Sequence, residues 1–178
     1  MGTCAVKGWG ITGSRSDAYS AELVSEVYGG KPVVRMWRSG DEADGFGGMC
    51  QLFDPGPYRG KRARLSAAMR TVDVTGRAAL CFRVDGPSSD GSKRALAFDN
   101  MAARPAISGT TAWARYSCVL EVPTTATALF ISNILFGRGE LFWSDVRFEI
   151  VDDSVPVTDM ESTYVVKAAP ANLDFSEP

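Results

Sequence analysis

Two polar side chains, Gln51 and Arg83, lie within predicted strands and are the candidates for contacting a reacting molecule. The chain has no histidine, which removes the commonest general base and the commonest metal ligand. Catalysis by Ser-His-Asp or Cys-His sets is therefore excluded. What remains is hydrogen bonding, since an amide and a guanidinium can both donate to the carbonyl or hydroxyl oxygens of a bound molecule.

A set of large apolar side chains could enclose such a molecule. The segment Ala128–Phe136, ALFISNILF, is largely apolar on both of its alternating faces. In the pairs Met36–Trp37 and Phe142–Trp143 only one member can face a sandwich core. We expect a ligand, a partner chain or the C-terminal tail to bury the second apolar face. The candidate cavity lining is Trp37, Met49, Met69, Leu135, Phe136 and Trp143.

Metal binding is predicted only as a minor alternative. The acidic stretch Ser39–Gly48 carries Asp41, Glu42 and Asp44, but its spacing does not match a calcium loop of the EF-hand type. A plain acidic turn is the favoured interpretation, with a structural calcium as the alternative. No cofactor or catalytic metal is expected.

The four cysteines are widely spaced, with no Cys-x-x-Cys pair. Because Cys81 and Cys118 fall within apolar strand patterns, we expect them to be buried free thiols. The basic segment Tyr58–Arg70 places several arginines on one strand face. We interpret this face as solvated and paired with carboxylates, with a phosphate-binding patch as the alternative.

The elements that must position these residues are strands. Short runs of period-2 alternation lie between Gly, Pro, Asp and Ser clusters, which is typical of a sandwich or barrel. Tyr19–Tyr28 is helix-compatible, but its Ser, Val and Tyr content favours a strand. Val74–Arg77 and Phe136–Glu140 read as hairpin turns. The predicted strands are Lys7–Thr12, Tyr19–Tyr28, Pro32–Arg38, Gly47–Phe53, Ala63–Val74, Ala78–Asp85, Ala95–Phe98, Arg115–Val122, Ala126–Phe136 and Glu140–Val151.

These patterns predict an all-β fold, a jelly-roll-like antiparallel β-sandwich. We expect one domain over residues 1–151 and an extended C-terminal tail over residues 152–178, where the strand period ends. A net charge of −2 over 178 residues argues against nucleic-acid binding. The absence of a long apolar run argues against a membrane span, and the absence of a signal-peptide pattern predicts a cytoplasmic location.

From Tyr58 to Val151 the sequence resembles a bacterial domain of the carbohydrate-binding-module-like, galactose-binding-like jelly-roll type. The resemblance is carried by YRGKRARLSA, CFRVDG, LAFDNMAARP, ISGTTAWARYSCVLEVP and ELFWSDVRFEIV, with PANLDFSEP similar to the family's ending. Such domains are often appended to helix-turn-helix regulators. Stand-alone members resemble small cyclases of bacterial polyketide pathways, which promote [4+2] and [6+4] cycloadditions of polyene macrolactones without a cofactor.

The residues and the resemblance together leave three hypotheses. The first is a cofactor-independent cyclase that folds a hydrophobic polyene in an apolar cavity, with Gln51 and Arg83 holding substrate oxygens. The second is a non-catalytic module for carbohydrate binding or small-molecule sensing, with Trp37 and Trp143 as platforms and Gln51, Arg83 and Asp85 around them. The third is a structural homodimer whose second apolar faces meet. The expected partner in the first two is a small molecule.

Overall fold

Among the described residues, nine antiparallel strands form one continuous sheet that folds onto itself to give two layers. The computed structural model describes residues 2–39, 45–88 and 92–159. The strands are β1 Gly10–Thr12, β2 Tyr19–Tyr28, β3 Lys31–Arg38, β4 Phe46–Phe53, β5 Lys61–Pro87, β6 Lys93–Asp99, β7 Ile107–Val122, β8 Ala128–Phe136 and β9 Glu140–Val151. Two short 3-10 turns, Ser16–Ala18 and Gly56–Tyr58, complete the described elements.

The long strand β5 belongs to both layers. Its first half pairs with β7 and β9, and β9 pairs with β3, which pairs with β2. We call this layer sheet A. The second half of β5 pairs with β6 and β8, β8 pairs with β4, and β4 pairs with β1. This second layer is sheet B. The predicted jelly-roll-like sandwich is confirmed.

The predicted hairpins at Val74–Arg77 and Phe136–Glu140 are wrong. Both segments are bends at which neighbouring strands pass together from one layer into the other. The β5–β9 register ends at Val72↔Glu140 and the β5–β8 register begins at Ala78↔Leu135. Across the bend, Thr75 N–H donates to the Arg138 carbonyl at 3.0 Å and Arg138 N–H donates to Thr75 Oγ1 at 2.9 Å. We call this bend the corner.

Glycine is required at the corner because the two backbones approach too closely for a side chain. Gly139 has φ 105°, a conformation that L-residues rarely adopt. A Cβ at Gly139 would lie 2.5 Å from the Asp73 carbonyl oxygen and 2.6 Å from its carbon. Segments whose sequences resemble hairpin turns are therefore bends in two strands that stay paired with each other.

The space between the layers is filled by side chains from both sheets. Phe148 of sheet A meets Phe82 and Phe53 of sheet B edge to face, with ring centroids 5.1 and 5.2 Å apart. Leu80, Phe82 and Val84 alternate inward, as predicted, and each is fully buried. Edge-to-face aromatic pairs of this kind add to the free energy gained from burying their area.

A β-bulge in β9 changes which of the two residues Phe142 and Trp143 faces inward. Ser66 pairs with Arg147 and Ala68 pairs with Ser144, so two residues of β9 oppose one residue of β5. Asp145, within the bulge, has φ 48°. Strict alternation would place Phe142 on the face of Phe148, but the bulge instead turns Trp143 inward and Phe142 outward.

The corner yields a stability prediction. We expect Gly139→Ala to lower the free energy of unfolding by about 3 kcal/mol, because the new methyl group meets backbone that cannot move aside. Gly29→Ala is the matched control, since Gly29 also has positive φ but has no atom within 4 Å of the added Cβ; it should cost about 1 kcal/mol. Urea unfolding of both variants measures the difference, and equal losses would contradict the role assigned to the corner.

Candidate functional site

The structure does not bring the eight predicted site residues together. Met49, Met69 and Leu135 have no exposed surface and belong to the core. Gln51 is half-buried on the inner face of β4, the face of Met49. Their neighbour Trp143, 2% exposed, also faces inward.

The other three predicted residues lie on outer surfaces. Trp37 is on the outer face of sheet A and Arg83 is on the outer face of sheet B, so the sandwich separates them. Phe136 lies at the corner, with its ring centroid 5.0 Å from that of Phe46. Arg83 lines a depression of about 350 Å³ with Asp85, Arg94 and Ala95.

Arginine side chains cover the outward aromatic rings, which accounts for much of the second apolar face. On sheet B, the guanidinium carbon of Arg83 lies 4.7 Å from the centroid of the Phe130 ring. At the corner, that of Arg77 lies 4.9 Å from the Phe136 centroid. On sheet A, Arg35 lies 4.6 Å from the Trp37 centroid and Arg70 lies 3.7 Å from the Phe142 centroid. Such cation–π contacts hold the arginine stem over apolar surface while the charge stays near water. This cover differs from the ligand, partner or tail that the sequence predicts.

Carboxylates hold Arg35, Arg70 and Arg83 in place. Arg83 donates from Nε and Nη2 to the two oxygens of Asp85, at 2.8 and 2.9 Å, and Arg35 pairs with Glu140. The arginines of the basic segment are paired too, Arg62 with Glu121, Arg64 with Glu149 and Arg70 with Glu26. The interpretation of that segment as a solvated face paired with carboxylates therefore agrees with the structure.

The tip of the β2–β3 hairpin bends over sheet A. The Tyr28 and Trp113 ring centroids are 4.6 Å apart, although their strands, β2 and β7, lie at opposite edges of the sheet. At about 4.8 Å per strand, that contact requires the hairpin to fold across the face. Glu26 accepts from Arg70 Nε at 3.2 Å and from Trp113 Nε1 at 3.3 Å. The hydrogen bond from Arg70 is the main cause of the lowered pKa of Glu26.

One cavity opens between the sheets beside β9, and we call it the tryptophan cavity. It has a volume of about 290 Å³ and is lined in part by Trp9, Val34, Met49, Trp143, Ser144 and Asp145. The rings of Trp9 and Trp143 meet edge to face with centroids 5.0 Å apart. Two predicted residues, Met49 and Trp143, thus line one cavity.

Buried donors near the tryptophan cavity lack acceptors. Within the described part of the chain, Trp143 Nε1 and Asn133 Nδ2 are buried and have no hydrogen-bond partner. Asn133 is directly linked to the cavity wall, since its Oδ1 accepts from Met49 N–H at 2.8 Å. A buried donor without an acceptor costs about 1–3 kcal/mol. An oxygen atom of a bound molecule would satisfy such a donor.

The carboxylate of Asp145 gives this cavity a charged wall. Asp145 pairs with Arg147 and Arg115, and the hydrogen bond from Arg147 is the main cause of its lowered pKa. The group is therefore ionised at neutral pH and can accept hydrogen bonds. Sequence reasoning missed Asp145 and Trp9 as site residues, because neither the bulge at Asp145 nor the tertiary contact of Trp9 with Trp143 leaves a signal in the residue pattern.

A second cavity lies at the β6–β7 edge of the sandwich, and we call it the edge cavity. It has a volume of about 480 Å³ and is formed by the connection after β6 and by β7. Its lining includes Met101, Arg104, Ile107, Arg115, Tyr116 and Ser117. These residues come from LAFDNMAARP and ISGTTAWARYSCVLEVP, the segments that carry the family resemblance.

A buried polar cluster fixes the wall of the edge cavity. Asp99, 1% exposed, accepts from Met101 N–H at 2.7 Å and from Thr158 Oγ1 at 2.5 Å. Arg104 donates to Asp99 and, at 2.6 Å, to the Ser117 carbonyl. Burial raises the pKa of the nearby Cys118 thiol.

The cysteine prediction is confirmed, because Cys81 and Cys118 are buried free thiols. Burial raises the pKa of Cys81 to about 12, so its thiolate is scarce at neutral pH. Within the described ranges, no group of three or more Cys, Asp or Glu side chains could hold a metal ion. The calcium alternative at Asp41, Glu42 and Asp44 lies outside the described residues.

Comparison with known proteins supports the fold and one sequence relationship. No protein-family model matches the chain. It is 37% identical over 174 residues, 97% of its length, to a Bacillus subtilis (strain 168) protein named uncharacterized HTH-type transcriptional regulator YbfP. The match spans 57% of that protein, so the chain corresponds to little more than half of its curated relative.

The similar solved structures include carbohydrate-binding modules. The CBM22-1 xylan-binding domain of Paenibacillus barcinonensis Xyn10C aligns with a TM-score of 0.56 and 14% identity over 82% of this chain and 86% of that one. The C-terminal family 22 module of Clostridium thermocellum Xyn10B aligns with a TM-score of 0.54 and 15% identity over 85% and 91%. At these identities the likeness is one of fold. Within the described ranges, the structure has no helix that is long and apolar enough to span a membrane.

The pair formed by Glu26 and Arg70 on sheet A yields a prediction about the pH dependence of stability. We expect Glu26→Gln to lower the free energy of unfolding at pH 7 by about 1 kcal/mol, a value discounted for the partial exposure of the pair. Because the pKa of Glu26 is lowered in the folded state, its contribution is present above the ordinary pKa of a glutamate and is lost as pH falls through the folded value. The difference in stability between the variant and the wild type should therefore shrink as the pH falls through the folded pKa of Glu26.

The matched control is Glu149→Gln, which breaks the pair with Arg64. It should cost less than about 0.5 kcal/mol. Urea unfolding at pH 7 and pH 3 measures all three proteins. A Glu26→Gln loss that persists undiminished at pH 3 would show that the carboxylate charge is not the source of the stabilisation.

Proposed function

We propose that this chain is a non-catalytic module that binds a small carbohydrate, or a similarly hydroxylated molecule, in the tryptophan cavity. The observation that carries the proposal is the unpartnered Nε1–H of Trp143, a residue that lines the same cavity as Trp9. Ligand sites typically combine an apolar wall with a few polar groups that fix orientation. Trp9 supplies the accessible aromatic surface, and Ser144 and Asp145 supply polar atoms.

The chemistry of a sugar fits this wall. A hydroxyl group both donates and accepts, so one hydroxyl can accept from Trp143 Nε1–H while another donates to the Asp145 carboxylate. The apolar C–H face of a sugar ring can pack on Trp9, which is half-buried and therefore accessible. The similarity in fold to carbohydrate-binding modules supports the same ligand class without identifying the sugar.

The curated relative suggests how such binding could be used. A protein named as a helix-turn-helix regulator carries a segment 37% identical to nearly all of this chain. We infer that the module senses a small molecule and that, in proteins of that architecture, its occupancy is transmitted to a DNA-binding part. Direct DNA contact by this chain is not part of the proposal, because its net charge is −2.

The cyclase hypothesis receives no comparable support. It requires Gln51 and Arg83 to hold one substrate beside a wall that includes Met69 and Leu135. Met69 and Leu135 are core residues with no exposed surface, and Arg83 lies on the outer face of sheet B, bound to Asp85. The cyclase, the homodimer and a cytoplasmic location stay predictions.

The test of the binding proposal is a substitution at each of two half-buried tryptophans. A panel of neutral probes (xylose, xylobiose, glucose and galactose) is titrated by calorimetry and by intrinsic fluorescence. We expect at least one probe to bind, and Trp9→Ala to weaken it by about tenfold or more, equivalent to about 1.4 kcal/mol. Trp37→Ala is the matched control, because Trp37 lies on the outer face of sheet A; its affinity should stay within about twofold of wild type.

A third variant tests the hydrogen bond itself. Trp143→Phe keeps an aromatic ring in the cavity but removes the N–H group, and should weaken the same probe by about five- to tenfold. Circular dichroism confirms that each variant is folded. The site is wrong if Trp37→Ala abolishes binding while Trp9→Ala does not, and the ligand class is wrong if no probe binds the wild-type protein.

A further inference from the structure

We propose that the edge cavity is a second binding site, which takes a small organic carboxylate with an apolar body. The cavity is the larger of the two, at about 480 Å³, and its lining differs from that of the tryptophan cavity at every position. The proposal is therefore independent of the binding function proposed above.

One part of the lining is apolar. Met101 and Ile107 are nearly fully buried, and Pro105, Ala106 and the ring of Tyr116 continue the same wall. A purely polar ion such as acetate or phosphate would leave this wall in contact with water. A ligand with an aromatic or aliphatic body removes that apolar area from water, at about 25 cal/mol per Å².

The two arginines that line the cavity are more exposed than the carboxylates they pair with. Arg104 pairs with Asp99, and Arg115 pairs with Asp145. Both carboxylates are withdrawn, with side chains 2% and 15% exposed, whereas the two arginine side chains are 32% and 38% exposed. An approaching anion therefore meets guanidinium charge first.

Donors for a carboxylate are available on two lining arginines. Arg104 uses its terminal nitrogens on Asp99 and the Ser117 carbonyl. Arg115 uses its terminal nitrogens on Ser66 Oγ and Asp145. Among the described residues, neither Nε–H is engaged in a hydrogen bond to another side chain or to the backbone. Since a guanidinium has five N–H groups, each can add a carboxylate oxygen without losing its existing partner.

The site is built in advance of any ligand. Asp99 holds Met101 and Thr158, and Arg104 joins Asp99 to the β7 backbone. Thr158 also connects the segment after β9 to Val119 through two hydrogen bonds. The Val119 N–H donates to Thr158 Oγ1 at 2.8 Å, and the Thr158 N–H donates to the Val119 carbonyl at 2.8 Å. Walls fixed in this way reduce the entropy cost of binding.

The experiment separates the two halves of the claim with three probes. Phenylacetate carries both the carboxylate and an apolar ring, phenylacetamide carries the ring without the charge, and acetate carries the charge without the ring. Calorimetric titration at constant chloride should show phenylacetate binding. Phenylacetamide and acetate should each bind about tenfold more weakly or worse.

Three variants locate the site. Arg115→Met should weaken phenylacetate by about tenfold. Arg147→Met is the matched control, because Arg147 shares Asp145 but does not line the cavity; its affinity should stay within about twofold of wild type. Ala106→Trp fills the cavity from an exposed position without changing any charge, and should abolish binding while the protein keeps its stability.

Several results would overturn the proposal. Phenylacetamide binding as tightly as phenylacetate would remove the role of charge. Equal losses in Arg115→Met and Arg147→Met would indicate a diffuse surface effect. Loss of phenylacetate binding in Trp9→Ala, with Ala106→Trp unaffected, would place the probe in the tryptophan cavity. The proposal would also be contradicted if the wild-type protein bound no phenylacetate at concentrations up to about 10 mM.

Discussion

The architecture depends on one constraint, which is that strands paired in sheet A stay paired as they turn into sheet B. One main-chain hydrogen bond, from Thr75 N–H to the Arg138 carbonyl, and one from Arg138 N–H to Thr75 Oγ1 join the two strands through the corner. These hydrogen bonds hold the two backbones close. Gly76, Gly137 and Gly139 lie where a side chain would collide with the partner strand.

Arginine is the second organising element of this protein. A sheet with two apolar faces normally needs another layer on each, yet here the outer aromatic rings lie beneath guanidinium groups tied to carboxylates. This arrangement covers the outward rings of Phe130 and Phe142 with guanidinium groups. It also explains why surplus apolar sequence is not by itself evidence for a large enclosed ligand site.

Local pattern predicted the elements well. The bounds of β2 and β9 agree with the sequence prediction, and Leu80, Phe82 and Val84 face inward as their alternation requires. The corner was misread because a short glycine-containing segment suits a hairpin as well as a paired bend. Only the pairing of residues far apart in sequence, such as Val72 with Glu140, decides between them.

The candidate site was less predictable for a related reason. A bulge at Asp145 reverses the alternation of β9, and no residue type announces a bulge. The tryptophan cavity is lined by Trp9, which precedes β1, and by Trp143 of β9. The edge cavity is lined by residues of the connection between β6 and β7 and by residues of β7 itself. Composition showed which chemistry is excluded, above all catalysis that uses histidine. How the remaining residues are grouped into a site is set by tertiary structure.

The passage of β5 through both layers also has a kinetic consequence. Its first half pairs with β9 as far along the chain as Val151, and its second half pairs with β8. A nascent chain therefore completes sheet B only once Phe136 has been synthesised, and sheet A only once Val151 has followed. Topologies dominated by such distant pairings fold in milliseconds to seconds. We therefore expect both layers to form late in synthesis, in a folding reaction slower than that of a helical protein of the same length.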